Sequence, residues 1–199
     1  MTNDRSETLT RVCEALLRGE RAKAASIAQS EYSFETYTTS GRKYSAFEST
    51  QIFVRDGFID RYSGTRLVFP GSLRLVSHLM PDEFPAHPNW KMSESHIVYW
   101  ELFPTIDHII PVARGGNDCA ENWVSTSMLR NSAKSNWTLD ELGWNLYPSG
   151  NFREWDGLIG WFFSYIDENP QHLQDKYLKR WHGAVVRAID SLPNRLDIN

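Results

Sequence analysis

Cysteine is nearly missing from this sequence. Two occur among 199 residues, Cys13 and Cys119, too few and too far apart for a disulfide framework or a paired C-x-x-C zinc knuckle. Long apolar runs are missing too. None approaches the roughly 18 residues that a membrane-spanning helix needs, and Met1-Thr-Asn-Asp-Arg-Ser has none of the apolar stretch of a signal peptide. These absences predict a cytoplasmic protein with no membrane partner. A basic surplus is also absent. The net charge of −4 runs against a protein that coats nucleic acid non-specifically. The charge is uneven, however. From Thr138 onward there are nine acidic and six basic side chains, whereas Gln51 to Met80 holds Arg55, Arg61, Arg66 and Arg74 against Asp56 and Asp60. A locally basic face on an acidic protein is compatible with these counts. What is present is ordinary globular material: 41% apolar and 13% aromatic residues suffice for one good core, or one core with a small appendage.

Helical spacing of Leu9, Val12, Cys13, Leu16 and Leu17 predicts a helix over Glu7 to Gly19, and the alanine-rich stretch Arg21 to Gln29 continues helically. Tyr32 to Ser49 is polar and reads as loop or irregular strand. Gln51 to Arg55 alternates weakly like a strand, Asp56-Gly57 gives a turn, and Phe58 to Tyr62 reads as a returning strand. Ser72 to Leu79 is a short helix ended by Pro81, and the proline-bearing stretch to Trp100 is an ordered, aromatic-anchored loop. Strands are expected at Pro104 to Val112 and Asn122 to Thr126, with the turn signal Arg114-Gly-Gly-Asn-Asp between them and a helix from Ser127 to Ser135. Two amphipathic helices, Trp155 to Asp167 and His172 to Asp190, close the chain. The pattern is α+β: an N-terminal helical region over 1–49, a central part over 50–145, and a C-terminal helical extension over 146–199.

The chemistry concentrates in Thr105-Ile-Asp-His-Ile-Ile-Pro-Val-Ala-Arg-Gly-Gly-Asn-Asp-Cys-Ala-Glu-Asn-Trp and Ser127-Met-Leu-Arg-Asn-Ser-Ala-Lys. Asp107 and His108 are neighbours on a strand, so their side chains project to opposite faces unless the strand bends. Asn131 and Lys134 are three apart on a helix and share a face. A strand–turn–strand–helix order brings the Asp/His pair against that face. An imidazole suits activation of water near neutral pH, and carboxylate and amide oxygens suit Mg²⁺ or Mn²⁺. Together these are the parts needed to cut a phosphodiester.

The order Asp-His, Arg-Gly-Gly, Glu-Asn, Asn-x-x-Lys resembles the HNH, or His-Me-finger, endonucleases, in the variant that ends in asparagine. The signature positions fall on His108, Asn122 and Asn131, with gaps of fourteen and twenty-three residues counted from the first. The resemblance covers about Phe103 to Trp137 and implies a ββα-metal hairpin. It implies His108 as general base, Asp107 and Asn131 as ligands of one divalent cation, and Asn122 as the residue that stiffens the loop and helps orient His108. Lys134 is implied as a phosphate contact or a helix anchor. Arg114 reads as a phosphate contact or as a solvated turn residue, and Arg130 carries the same two readings.

Many members of that family carry one C-x-x-C before the Asp-His strand and another running into the final asparagine. Here those places read Asp60-Arg-Tyr-Ser-Gly and Ser127-Met-Leu-Arg-Asn, so no structural zinc is expected, and hydrogen bonds with aromatic packing are expected in its stead. His78, His87 and His96 read as surface or loop-packing histidines, His96 lying nearest the motif. Trp90, Trp100, Trp123, Trp137 and Trp144 surround it and read as packing before base stacking. The expected function is Mg²⁺- or Mn²⁺-dependent hydrolysis of DNA by an HNH endonuclease, with 5′-phosphate and 3′-hydroxyl products. The alternatives are a ribonuclease or toxin-like nuclease, and an inactive nucleic-acid-binding module. The terminal helices leave room for a homodimer.

Overall fold

The computed structural model describes residues 5–34, 43–89 and 91–191, so Trp90 and part of the expected Tyr32–Ser49 loop lie outside the described residues. The chain divides into two compact units, residues 1–40 and 41–199. In the first, α1 (Arg5–Leu17) and α2 (Arg21–Glu31) pack against each other, burying little more than Thr8, Ala15 and Ala24. The Arg11 guanidinium grips both oxygens of Glu31.

The second unit begins with a correction. Gln51 to Arg55 is not a strand but the end of α3 (Ala46–Arg55). Five residues containing Ile52 and Val54 look β-like, yet Thr50, Phe53 and Val54 are buried at helical spacing. The start is set by a capping box in which Ser45 accepts from the Glu48 amide while the Glu48 carboxylate accepts from the Ser45 amide. Phe58 to Tyr62 likewise forms no strand, only a single bridge between Ile59 and Arg66. Then follow α4 (Pro70–Leu79), the four-residue α5 (Val98–Glu101), β1 (Pro104–His108), β2 (Trp123–Ser127), α6 (Met128–Lys134), the short α7 (Leu139–Leu142), α8 (Ile159–Glu168) and α9 (Lys176–Asp190). Among the described residues, no helix is long and apolar enough to cross a membrane.

The main core joins Phe53, Phe58, Leu67 and Phe69 to Ile159, Phe162, Leu178, Trp181 and Val185. Within the expected extension over 146–199, α8 and α9 thus supply about half of the buried side chains of this cluster. Burial of each such aromatic or aliphatic side chain contributes about 1.5–3 kcal/mol, and α8 and α9 are held by that packing.

An isolated two-stranded hairpin is only marginally stable in water, and here β1 and β2 form a two-stranded antiparallel sheet with Asp107 opposite Val124 and His108 opposite Trp123. Groups from flanking segments reach both of its edges and pair several of the outward-facing backbone groups. On the β1 edge, Asn131 Nδ2 donates to the Ile106 carbonyl at 3.2 Å and Lys134 Nζ to the His108 carbonyl at 2.7 Å. On the β2 edge, Asp56 accepts from the Ser125 amide at 2.8 Å and Asp60 from the Ser127 amide at 3.0 Å. Arg55 reaches the Trp123 carbonyl at 2.6 Å, and the Arg61 amide reaches the Ser125 carbonyl at 2.9 Å.

Candidate active site

The polar residues singled out along the chain meet on this hairpin. Pleating puts Thr105 and Asp107 on one face of β1 and Ile106 and His108 on the other. Helix α6 lies along the Asp107 side. Asn131 Nδ2 also donates to Thr105 Oγ1 at 2.9 Å, and one turn later Lys134 Nζ pairs with Asp107 Oδ2 at 2.8 Å. Because Asn131 has a carbonyl as one partner, its nitrogen is fixed as the donor, and its Oδ1 is turned away from the Thr105–Ile106 pair.

Asp107 is held by two donors on the same oxygen. Tyr62 Oη donates to Oδ2 at 2.7 Å beside the Lys134 contact, and the side chain keeps 12% of its exposure. Burial first, and the Asp107 charge second, push the Tyr62 phenol far above its ordinary range, so it is a neutral donor at every working pH. Among the described residues, Oδ1 of Asp107 and Oδ1 of Asn131 accept no hydrogen bond from protein. Two hard oxygens with spare lone pairs suit a cation such as Mg²⁺, which keeps several waters of its own. No cluster of three or more His, Cys, Asp or Glu side chains that could cage a metal occurs among the described residues, so any such ion would rest on this carboxylate–amide pair and solvent.

Lys134 has no exposure at all. Of its two expected roles, the helix anchor fits; a phosphate contact does not, because the ammonium is spent inside on Asp107 and the His108 carbonyl. Arg114 stays exposed, its guanidinium lying 3.4 Å from Glu141 on α7. Arg130 lies over the Trp144 ring at 5.4 Å, and Trp144 in turn packs on Tyr62 with centroids 5.9 Å apart.

On the opposite face, His108 is 20% exposed and its Nε2 lies 3.0 Å from Asp118 Oδ1. The Trp123 indole N–H points between them, 3.1 Å from His108 Nε2 and 3.0 Å from Asp118 Oδ1. An ionised Asp118 can only accept, so at this separation the proton between the two side chains sits on Nε2, and Trp123 donates to the carboxylate. His108 Nδ1 is then the ring atom that can take up a proton, and no hydrogen bond occupies it among the described residues.

Asn122 closes the loop beyond His108. Its Oδ1 accepts from the Ile110 amide at 2.9 Å while its Nδ2 donates to the carbonyls of Ile110 and Asn117, each at 2.8 Å. The two glycines of Arg114-Gly-Gly serve different ends. Gly115 takes φ +85° to reverse the chain, whereas a Cβ on Gly116 would sit 1.9 Å from the Ile110 carbonyl oxygen.

The two segments around Asp60–Gly64 and Ser127–Asn131, which hold no cysteine, are joined through Asp60. Its carboxylate accepts from the Tyr62 amide at 2.9 Å, Thr126 Oγ1 at 3.0 Å and the Ser127 amide at 3.0 Å. His96 turns out to serve α5: its Nδ1 accepts from the Val98 amide at 3.1 Å and its ring packs on Phe84. Tyr62, Asp118 and the buried Asp56 and Asp60 are the residues that sequence reading passed over. The Asp60-x-Tyr62 step in place of the first C-x-x-C, and an aspartate in the loop four residues before Asn122, were the available signals. No family model matches the chain, and neither the curated proteins nor the solved structures contain a match.

Proposed function

We propose that this chain is a metal-dependent nuclease of the HNH type that hydrolyses phosphodiester bonds in DNA, built on a ββα-metal hairpin of β1, β2 and α6. The observation that carries the reading is the set of polar atoms left over by the protein itself: Asp107 Oδ1, Asn131 Oδ1 and His108 Nδ1, on a hairpin whose other polar groups are spent on one another. His108 Nδ1 takes a proton from water, whose oxygen attacks phosphorus. The P–O3′ bond breaks, giving a 5′-phosphate and a 3′-oxygen that takes a proton from solvent water and leaves as the hydroxyl, while His108 later returns its proton to solvent. Asp118 holds His108 in the productive tautomer, and Asn122 fixes the loop that carries it. Asp107 and Asn131 hold one Mg²⁺ or Mn²⁺, which when bound supplies neutralisation of charge on the phosphate and leaving oxygen.

The test is nicking of supercoiled plasmid with Mg²⁺, with Mn²⁺ and with EDTA, beside a structured RNA. Nicking that requires a divalent ion, with RNA left intact, is expected. Cleavage of RNA alone would move the reading to a ribonuclease. No cleavage of either at any metal concentration would leave a binding module. Asp107→Ala and Asn131→Ala should be rescued in part by raised Mn²⁺, and His108→Ala by none.

A further inference from the structure

Within the acidic C-terminal part of the chain, the basic side chains are not scattered. Four of the six cations beyond Thr138 fall on α9, at Lys176, Lys179, Arg180 and Arg187. The last three line a groove of about 620 Å³ between α9 and the start of α3, whose other wall includes Tyr44 and Phe47. None of these three cations is in an ion pair among the described residues. Two are instead laid over aromatic rings: Arg187 over Phe47 at 4.2 Å and Arg180 over Tyr177 at 5.1 Å. Those contacts hold the guanidinium planes by packing, without neutralising them. The nearest carboxylate on α3, that of Glu48, is committed to the cap of its own helix. Gly183 lies on the floor, with open space where a Cβ would be, so a chain can lie close to the α9 backbone.

A chain of ring contacts links the groove wall to the candidate active site. Tyr44 lines it, and its ring packs edge-on against Trp123 with centroids 5.2 Å apart. Trp123 is the residue whose indole N–H reaches His108 and Asp118, its ring centroid 6.5 Å from that of His108. One aromatic pair, Tyr44 and Trp123, therefore lies between the groove wall and the proposed base.

We propose that this groove binds the phosphate backbone of the polynucleotide on one side of the cleaved bond, with Lys179, Arg180 and Arg187 as the phosphate contacts. This rests on the nuclease reading for its substrate, and it gives an acidic protein the local positive surface that such a substrate requires. It also takes the phosphate-contact role from Lys134, which the fold spends internally, and gives it to a helix outside the hairpin.

The test separates binding from cutting. Anisotropy of a fluorescein-labelled 20-base-pair duplex is titrated with protein in EDTA over a range of NaCl concentrations. Lys179→Glu/Arg180→Glu is compared with wild type and with Arg153→Glu, a charge reversal outside the groove. Each lost phosphate contact should flatten the slope of log K against log salt by about 0.9. The double variant is therefore expected to lose a slope of about two and at least about tenfold in affinity. Arg153→Glu should behave as wild type. Lys179→Glu alone, whose side chain makes no described contact, should show half of the slope change without touching the packing. Hydrolysis of bis(p-nitrophenyl) phosphate with Mn²⁺, a substrate too short to reach the groove, should be unchanged in all of them. A double variant that binds the duplex as wild type does, or a wild type that binds no duplex in EDTA, overturns the groove and leaves the nuclease reading standing. Duplex binding lost in the double variant, with no cleavage by wild type, sinks the nuclease reading and leaves the groove.

Discussion

Two groups of aspartates flank the same hairpin and have opposite fates. Asp56 and Asp60, at the β2 edge, have no exposure, and between them they accept from the Ser125 and Ser127 amides, Thr126 Oγ1, Arg55 and Arg61. Asp107 and Asp118, at β1 and in the loop, keep 12% and 40% of their side-chain exposure, and Asp107 leaves one oxygen unused. A carboxylate buried with its lone pairs filled is architecture, since taking it away strands every donor around it. One that keeps both solvent and a spare oxygen can still exchange partners. Residue type does not distinguish the two groups; the count of satisfied lone pairs does.

The widest separation should come from His108→Ala set against Asp60→Ala. Losing the proposed base should lower kcat by about 10²–10⁴-fold while the urea midpoint stays put. Asp60→Ala should lower the midpoint, by about 3 kcal/mol or more of stability, because each buried donor left without a partner costs about 1–3 kcal/mol. A His108→Ala protein as destabilised as Asp60→Ala would erase the distinction.

Lys134 tests the boundary between the groups, being wholly buried yet paired with the accessible Asp107. Lys134→Met should destabilise by about 3–5 kcal/mol, and adding Asp107→Leu should recover most of that loss, since a charge left alone is what hurts. Urea denaturation of the single and double variants measures the coupling. Additive losses would mean that the pair is not an electrostatic unit.

Asp118→Asn is expected to fold normally and to lower kcat, with its signature in the ring nitrogens. Above pH 8, ¹⁵N spectra of the wild type should place the His108 proton on Nε2, and the variant should show a mixture. An Nδ1-protonated wild type would reverse the assignment of the accepting nitrogen.

The smallest effect lies in the supporting core. Burial against Phe162 and Phe163 lowers the His182 pKa, and Asp167 offsets that only in part. The unfolded chain therefore binds a proton more readily than the native one, so this contribution is intact above the unfolded value of 6.5 and is lost as pH falls through it. The melting temperature of His182→Gln should consequently fall less than that of wild type between pH 7.5 and 5.5.

The chemistry-bearing segment was legible because local order alone fixes much of it: turn glycines, a Ser127 cap and alternation on β1 are short-range facts. The supports were not, because they join residues distant in sequence. Asp56 reaches Ser125, and Arg55 reaches Trp123, across nearly seventy residues that no periodicity links. The strand expected at Gln51 to Arg55 failed for a related reason. Five residues are fewer than two helical turns, and the deciding Ser45–Glu48 cap lay just upstream, inside what looked like loop. Lys134 carries two readings in the sequence, phosphate contact or helix anchor, because nothing local announces a buried ammonium; only its partner on β1 does.

The paired glycines at 115 and 116 look like one flexible spot, but they predict two unlike profiles of tolerated change. At 115 the space is open and only the backbone angle is demanding, so asparagine or aspartate, which visit that region most readily, should survive there. At 116 the angle is ordinary and the obstruction is a carbonyl oxygen, which no choice of side chain avoids. Saturation of both codons under selection should therefore return a short spectrum at the first position and a single letter at the second, with the loop before Asn122 tied shut by a missing methyl group.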